Sequence, residues 1–327
     1  MGSSESRVQI IIPTITKDYL RMRDYVPGRI FENLPVSELI FIGNKELCEA
    51  VSTDMPQRYA GMRVRTINEE ELVPRQPIVD YIKKRVETTD KELMPKVRPG
   101  WYYQQFLKMS FSDICEGDYY VSWDMDTVPL RPLSFFDRNG KPAFDLKSEY
   151  NPGYFKTIEN LLGLKKNIDG SFISEHMIFS KAYMKELIAS IGSSSVEGND
   201  YKEKVINSID GDYLTLGFSE FETYGTYVTE KYPDTYTYRK FASFRRGSWF
   251  IREGDLNEDD IKWLSGDFDA ISFENADPIE DMVQLFRNPK YRGSMSAGKF
   301  YETILESGYF GEYSDGRINA GDWFAPV

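Results

Sequence analysis

Histidine is almost missing from this chain: His176 is the only one. A histidine-rich metal site is therefore excluded, and a Ser-His-Asp triad could form only around that residue. Cysteine is nearly as scarce, at Cys48 and Cys115. Two cysteines build no disulfide framework and fit a reducing cytoplasm. No run approaches the ~18 uncharged apolar residues that a membrane span requires. The N-terminal MGSSESR has no apolar signal region behind it, and residues 1–6 read as a flexible N-terminus. Positive charge is also in short supply. Against 52 acidic residues stand 40 Lys and Arg, a formal net charge of −12. Such a chain has no electrostatic footprint for nucleic acid and no attraction to anionic lipid. An anionic substrate would need a local cation, either a Lys/Arg cluster or a bound metal ion.

What is present is an ordinary globular composition, 41% apolar and 28% charged over 327 residues. That length suits one large α/β domain or one domain with an appendage. The continuous β-branched run VQIIIPT (Val8 to Thr14) reads as a strand covered on both faces. Lys17 and Asp18 follow in a polar loop, then a helical pattern from Tyr19 to Phe31 broken by Pro27 and Gly28. SELIFIGN (Ser37 to Asn44) and MRVRTINE (Met62 to Glu69) read as further strands. Strands separated by helical stretches predict a parallel, doubly wound sheet.

PGWYYQQFLKMSFSDICEGD predicts a helix opened by Pro99 and stopped by Gly117. Tyr103, Phe106, Leu107, Ser110, Phe111 and Ile114 form its apolar stripe. Trp101, Gln104, Gln105 and Lys108 share another face. This second face is either a solvated one carrying one aromatic or a polar one turned toward a ligand.

The strand YYVSW (Tyr119 to Trp123) then runs into Asp124 and Asp126. In extended chain, residues i and i+2 point to the same side, and ligands of open α/β sheets bind at the carboxyl ends of the strands. Two carboxylates there are a hard oxygen donor set suited to Mg2+ or Mn2+, which takes its remaining ligands from water and phosphate. A metal-bound diphosphate is a good leaving group. The bland alternative is a turn, because Asp is common after strands. Further on, SFISEHMIF (Ser171 to Phe179) reads as a strand, Ser180 as the N-cap of a helix over Lys181 to Ile191, and Ser219 with Glu222 as a capping box. Beyond Arg245 the pattern predicts loops, one short strand and a helix at Ala297 to Ser307.

IIIPTITKD, GWYYQQFLK, WDMDTVPLRPL, SFISEHMIF and FSEFETYGTY occur in this order. Over roughly Val8 to Tyr232 the chain thereby resembles bacterial D-x-D-containing glycosyltransferase-like proteins with the GT-A fold. The resemblance implies a Rossmann-like, mostly parallel sheet flanked by helices over residues 7–245, with residues 246–327 as a C-terminal extension packed on it. It implies a hexosyltransferase moving a sugar from a nucleotide diphosphate donor, uridine diphosphate foremost, to a hydroxyl acceptor. A glycan or lipid-linked acceptor in polysaccharide assembly fits, in the cytoplasm or at the inner face of the membrane. Thr14, Lys17 and Asp18 would lie near the nucleotide. Asp124 would contact ribose or metal, Asp126 the metal, and Gln105 and Lys108 the donor sugar or phosphates. Glu175 and His176 would line the acceptor side. Glu222 has a sufficient role in its cap, which leaves Glu220 as the best general base.

Two rival readings carry weight. DMDTV (Asp124 to Val128) also fits the nucleophile motif of haloacid-dehalogenase-type phosphatases, with GDFDA (Gly266 to Ala270) as a later acidic motif. Three strands precede DMDTV, however, whereas that family carries its motif on the first. A non-catalytic nucleotide-sugar-binding relative is the other. A sugar-nucleotide pyrophosphorylase is disfavoured, because IIIPTITKDY has no glycine to form a phosphate loop.

Overall fold

The computed structural model describes residues 7–274 and 277–308. The N-terminal segment expected to be flexible, residues 1–6, lies outside them, as does the chain beyond residue 308. The strands, in chain order, are β1 (Val8–Pro13), β2 (Val36–Gly43), β3 (Val64–Asn68), β4 (Tyr119–Trp123), β5 (Thr127–Pro129), β6 (Ala143–Leu146), β7 (His176–Ser180), β8 (Thr237–Lys240), β9 (Ser243–Phe244) and β10 (Ala270–Ser272). The central sheet runs β3-β2-β1-β4-β7. Its first four strands are parallel and β7 is antiparallel to β4. The expected class, an α/β fold with a mostly parallel sheet between helices, is what the structure has.

The apolar runs explain the sheet. Every residue of β1 is buried, and β2 is buried at all positions but Ser37. A strand covered on both faces needs apolar side chains at successive positions, and these sequences supply them. The order matters more than the count. From β1 the sheet grows one way through β2 and β3 and the other way through β4. The crevice between the carboxyl ends of β1 and β4 is thus the switch point, where such sheets take their ligands. Ile11 pairs with Ser122, so the register carries Pro13 level with Asp124. Trp123 pairs with His176, which brings Glu175 to the same end.

The structure departs from the sequence pattern in places. Lys17 and Asp18 are not in a loop but on the helix Thr16–Met22, and a second helix, Val26–Asn33, carries Pro27 in its first turn, where a missing N–H costs nothing. Ile114 is 43% exposed, just past the helix Pro99–Ser110, and leaves the predicted stripe. In SFISEHMIF only the second half is strand: Ser171 bridges to Lys147, and the chain turns at Ser174 before β7 starts. The Ser180 side chain makes no cap to the helix Lys181–Gly192. Its N–H is met instead by the hydroxyls of Tyr224 and Tyr236, at 2.7 and 3.0 Å.

The stretch after residue 245 holds several short helices besides the expected Ala297–Glu306. It is also woven into the fold. β10 lies between β5 and β9, antiparallel to the first and parallel to the second. Gly247 lets the short helix Gly247–Phe250 pack close on β10, since a Cβ there would stand 2.7 Å from Ile271 Cγ1 and 2.9 Å from the Ser272 carbonyl oxygen. Arg21, from the first helix, donates from both terminal nitrogens to the Phe273 carbonyl, each at 3.1 Å.

Candidate metal and donor site

The turn after β4 is built by its own residues. The Thr127 N–H donates to the Asp124 carbonyl at 3.2 Å, and the Trp123 indole donates to the Thr127 carbonyl at 2.8 Å. Two neighbouring segments brace it. The Asp124 N–H donates to the Glu175 carbonyl at 3.0 Å, and the Phe273 N–H donates to the Asp126 carbonyl at 2.8 Å. The Asp124 N–H and the carbonyls of both aspartates are thereby bonded, and Asp126 Oδ1 accepts from Thr127 Oγ1 at 3.3 Å.

The Asp126 carboxyl sits in an unfavourable place for a charge. Burial, then the charge of Asp124 and that of Glu274, push its carboxyl up to about 7, with Arg21 opposing. Like charges close together in a poorly solvated site oppose ionisation. A divalent cation relieves that penalty. Asp124 is balanced differently. Lys108 Nζ sits 3.3 Å from Asp124 Oδ1 and 2.9 Å from Glu220 Oε1, and 4.4 Å from the centre of the Phe221 ring. Burial opposes the charge on Lys108, but the two carboxylates outweigh it and raise its pKa.

The helix Pro99–Ser110 turns its polar face inward. Gln105 and Lys108 are buried. Gln105 Oε1 accepts from the Glu220 N–H at 2.9 Å, and Gln104 Nε2 donates to the Pro13 carbonyl at 3.2 Å. Gln105 thus holds the first turn of the helix Glu220–Lys231, and Lys108 holds the carboxylate on that turn. Among the predicted site residues, the structure brings together Asp124, Asp126, Gln105, Lys108, Glu175 and Glu220. Thr14 stands at the end of β1 beside them, with its N–H bonded to the Ile42 carbonyl at 3.0 Å. Lys17 is exposed on the first helix. Asp18 lies 3.7 Å from Arg21.

Three predicted residues behave differently from expectation. The Glu222 N–H does donate to Ser219 Oγ, at 3.2 Å. Its carboxylate, however, does not return to the cap. Oε1 accepts from Ser171 Oγ at 2.6 Å and from the Phe172 N–H at 3.0 Å. Residues two apart on a helix point to different sides, so Glu222 anchors the 171–172 loop while Glu220 faces Lys108. His176 is 2% exposed. It is stacked on Trp123 at 4.7 Å between ring centres, and its Nε2 is 2.7 Å from Asp145 Oδ2. It lies beneath the site as a packing and hydrogen-bonding residue and presents no face to an acceptor. The Glu175 side chain points to Ser243 Oγ, at 2.6 Å, with Lys147 and Arg245 each at 3.6 Å. Burial works against its charge, yet Lys147 and Arg245 hold its carboxyl down at about 2.

Pattern reading missed Arg21, Asp145, Lys147, Arg239, Ser243 and Arg245. Asp145 takes both Arg239 Nε and a terminal Arg239 nitrogen at 2.7 Å, besides His176. The only sequence trace of these ion pairs is charge inside strand-like segments, AFDL and TYRK. The rival acidic motif is accounted for structurally. Asp269 takes Arg131 Nε at 2.7 Å and the Ala242 N–H at 2.8 Å, and Asp267 takes the Gly298 N–H at 2.6 Å.

The donor set suits a hard ion that keeps much of its own water. Among the described residues no three His, Cys, Asp or Glu side chains form a closed cage. Two carboxylates are what Mg2+ or Mn2+ uses when phosphate supplies the rest. Among the described residues no helix is long and apolar enough to cross a membrane.

Fold and site together define a Rossmann-like α/β protein with an acidic pair at the switch point of its sheet. The chain belongs to DUF6492, a family of unknown function, which matches residues 37–246. No curated protein sequence matches it. Among solved structures it is similar to mouse xyloside xylosyltransferase 1 in its apo form, at 11% identity and a TM-score of 0.41, over 84% of this chain and 99% of that one. It is similar to the apo structure of the bifunctional glycosyltransferase WbbM, at 12% identity and 0.47, over 92% of this chain and 52% of that one. The chain thus spans about half the length of WbbM. It is also similar to the galactosyltransferase LgtC in complex with donor and acceptor sugar analogues, at 11% identity and 0.40, over 90% and 94%. At these scores the likenesses do not bear on the chemistry below.

Proposed function

We propose that this chain is a metal-dependent glycosyltransferase, which takes a sugar from a nucleotide diphosphate donor, with uridine diphosphate as the carrier, and gives it to a hydroxyl of a glycan or lipid-linked acceptor. The observation that carries this reading is the placement of Asp124 and Asp126 just past β4 at the switch point of the sheet, with Lys108 joining Asp124 to Glu220. A bound Mg2+ or Mn2+, held by Asp124 and Asp126, would neutralise charge on the diphosphate.

The protein's own groups do the rest. Thr14, at the end of β1, and Lys17 and Asp18, on the helix behind it, flank the nucleotide end. Lys108 is committed to Asp124 and Glu220, so it orients two carboxylates rather than reaching out to phosphate. In the transfer, the acceptor oxygen bonds to the anomeric carbon. The bond from that carbon to the diphosphate breaks, and its electron pair leaves with the diphosphate. The acceptor proton needs a base, and we assign that role to Glu220, the carboxylate that shares Lys108 with Asp124.

The test is thermal unfolding with MnCl2 and uridine diphosphate, each alone and together. A ligand bound only by the folded state raises the melting temperature by mass action. The expected result is a rise with both present that Asp126→Asn abolishes. An unchanged rise in that variant removes Asp126 from the site. No rise in the native protein, with phosphate released from p-nitrophenyl phosphate, supports the phosphatase reading instead.

A further inference from the structure

The end of β10 meets Asp126 along two routes. The Thr127 hydroxyl lies 3.3 Å from Asp126 Oδ1 and 3.1 Å from the Ser272 hydroxyl. One residue on, the Phe273 N–H donates to the Asp126 carbonyl at 2.8 Å. The strand register makes both contacts: β5 and β10 are antiparallel with Ser272 opposite Thr127, which sets Phe273 against Asp126. Thr127 is 0% exposed and Ser272 4%, so both hydroxyls are shut off from bulk water. An ionised carboxylate only accepts. The Thr127 proton therefore points to Asp126, and the Ser272 proton to Thr127.

Arg21 secures the same segment from the far side. Both of its terminal nitrogens donate to the Phe273 carbonyl at 3.1 Å. Its Nε–H is buried and has no acceptor among the described residues. Buried donors are normally bonded, so this guanidinium is set for Phe273 even though one of its own donors goes unmet.

The terminal torsion of an aspartate side chain is broad. Hydrogen bonds, rather than rotamer preference, decide where its two oxygens point, and metal-ligating carboxylates are commonly held in this way. We propose that Thr127, Ser272 and Arg21 are positioning residues that aim the Asp126 carboxylate at the divalent ion. Ser272 acts through Thr127 on the carboxylate, and Arg21 acts through Phe273 on the main chain. The segment after residue 245 thereby supplies the outer support of a site whose ligands are residues 124 and 126. This inference rests on the metal-dependent transferase reading above and extends it beyond the acidic pair.

The experiment is a titration of the full chain with MnCl2 in the presence of uridine diphosphate, with free Mn2+ followed by electron paramagnetic resonance. Urea unfolding of each variant checks that it is folded. Thr127→Val loses only the hydroxyl and is expected to weaken Mn2+ binding about tenfold. Ser272→Ala leaves the Thr127 hydroxyl in place and should weaken it about threefold. The double variant should match Thr127→Val alone, because Ser272 works only through Thr127. Arg21→Met should weaken binding about tenfold, and Arg21→Lys, which keeps one donor for the Phe273 carbonyl, should recover part of the loss. Glu253→Gln removes a 3.8 Å contact of Arg21 that leads away from Asp126, and it should stay within about twofold of the native chain. Native affinity in folded Thr127→Val or Arg21→Met, or losses that add in the double variant, overturns the proposal and leaves the transferase reading standing. Should either of those single variants fail to fold, Ser272→Ala decides, and native affinity there overturns the proposal. Absence of Mn2+ binding by the native protein, or binding that Asp126→Asn does not weaken, overturns both.

Discussion

Lys108 Nζ lies 2.9 Å from Glu220 Oε1, which ties the helix Pro99–Ser110 to the first turn of the helix Glu220–Lys231. The same ammonium is 3.3 Å from Asp124. One buried cation thus sets the distance between the carboxylate proposed as base and the first member of the acidic pair. Removing one partner of a buried ion pair leaves uncompensated charge. Lys108→Met is expected to cost about 3–5 kcal/mol of stability in urea unfolding at neutral pH. Lys108→Met in combination with Glu220→Gln should recover part of that loss, and a double-mutant cycle measures the coupling.

Glu220 and Glu222 should separate cleanly in a transfer assay. Glu220→Gln is expected to lower kcat about 100-fold or more, with little change in KM for the donor. Glu222→Gln keeps an oxygen to accept from Ser171 and Phe172, and burial already raises the pKa of this carboxyl. Its stability should change by no more than ~1 kcal/mol and its kcat by less than about threefold. The reverse ranking of the two variants would move the base to Glu222.

The Asp145 cluster predicts an acid limb of stability. Burial favours the neutral carboxyl of Asp145, but the hydrogen bonds from Arg239 and His176 outweigh it and hold the pKa at about 2. A carboxyl depressed in the folded state stabilises the protein above its ordinary pKa, and that contribution is lost as pH falls through the folded value. The native chain should therefore lose about 2–3 kcal/mol from this group between about pH 4 and pH 2. Asp145→Asn should be less stable at pH 7 by a similar amount, and the gap should close toward pH 2. Urea titrations at stepped pH measure it.

The sheet and its acidic pair were legible for a physical reason. A strand buried on both faces must be apolar or small at successive positions, and YYVSW is, with Ser122 its one small polar residue. The helix face of Trp101, Gln104, Gln105 and Lys108 was equally readable. Its inward orientation was not, because that depends on Glu220, far away in sequence, supplying a partner for Lys108. Glu222 misled because S-x-x-E satisfies a capping box locally, while Ser171 and Phe172 compete for the same carboxylate through tertiary contact. Asp145 and His176 were illegible as a pair, since nothing local marks which charged residue in one strand meets which in another. The short helices after residue 245, such as Glu258–Leu264 and Glu280–Phe286, are seven residues each. Two turns are too few for a 3.6-residue period to stand out.

β10 inserts between β5 and β9, and Phe273 just beyond it closes onto the Asp126 carbonyl. During synthesis, β1 to β4 and β7 can pair as soon as they leave the ribosome, while the acidic turn stays unbraced on one side. A nascent chain can therefore pair its sheet before the crevice is complete, because the residue that braces the Asp126 carbonyl lies far downstream of the scaffold.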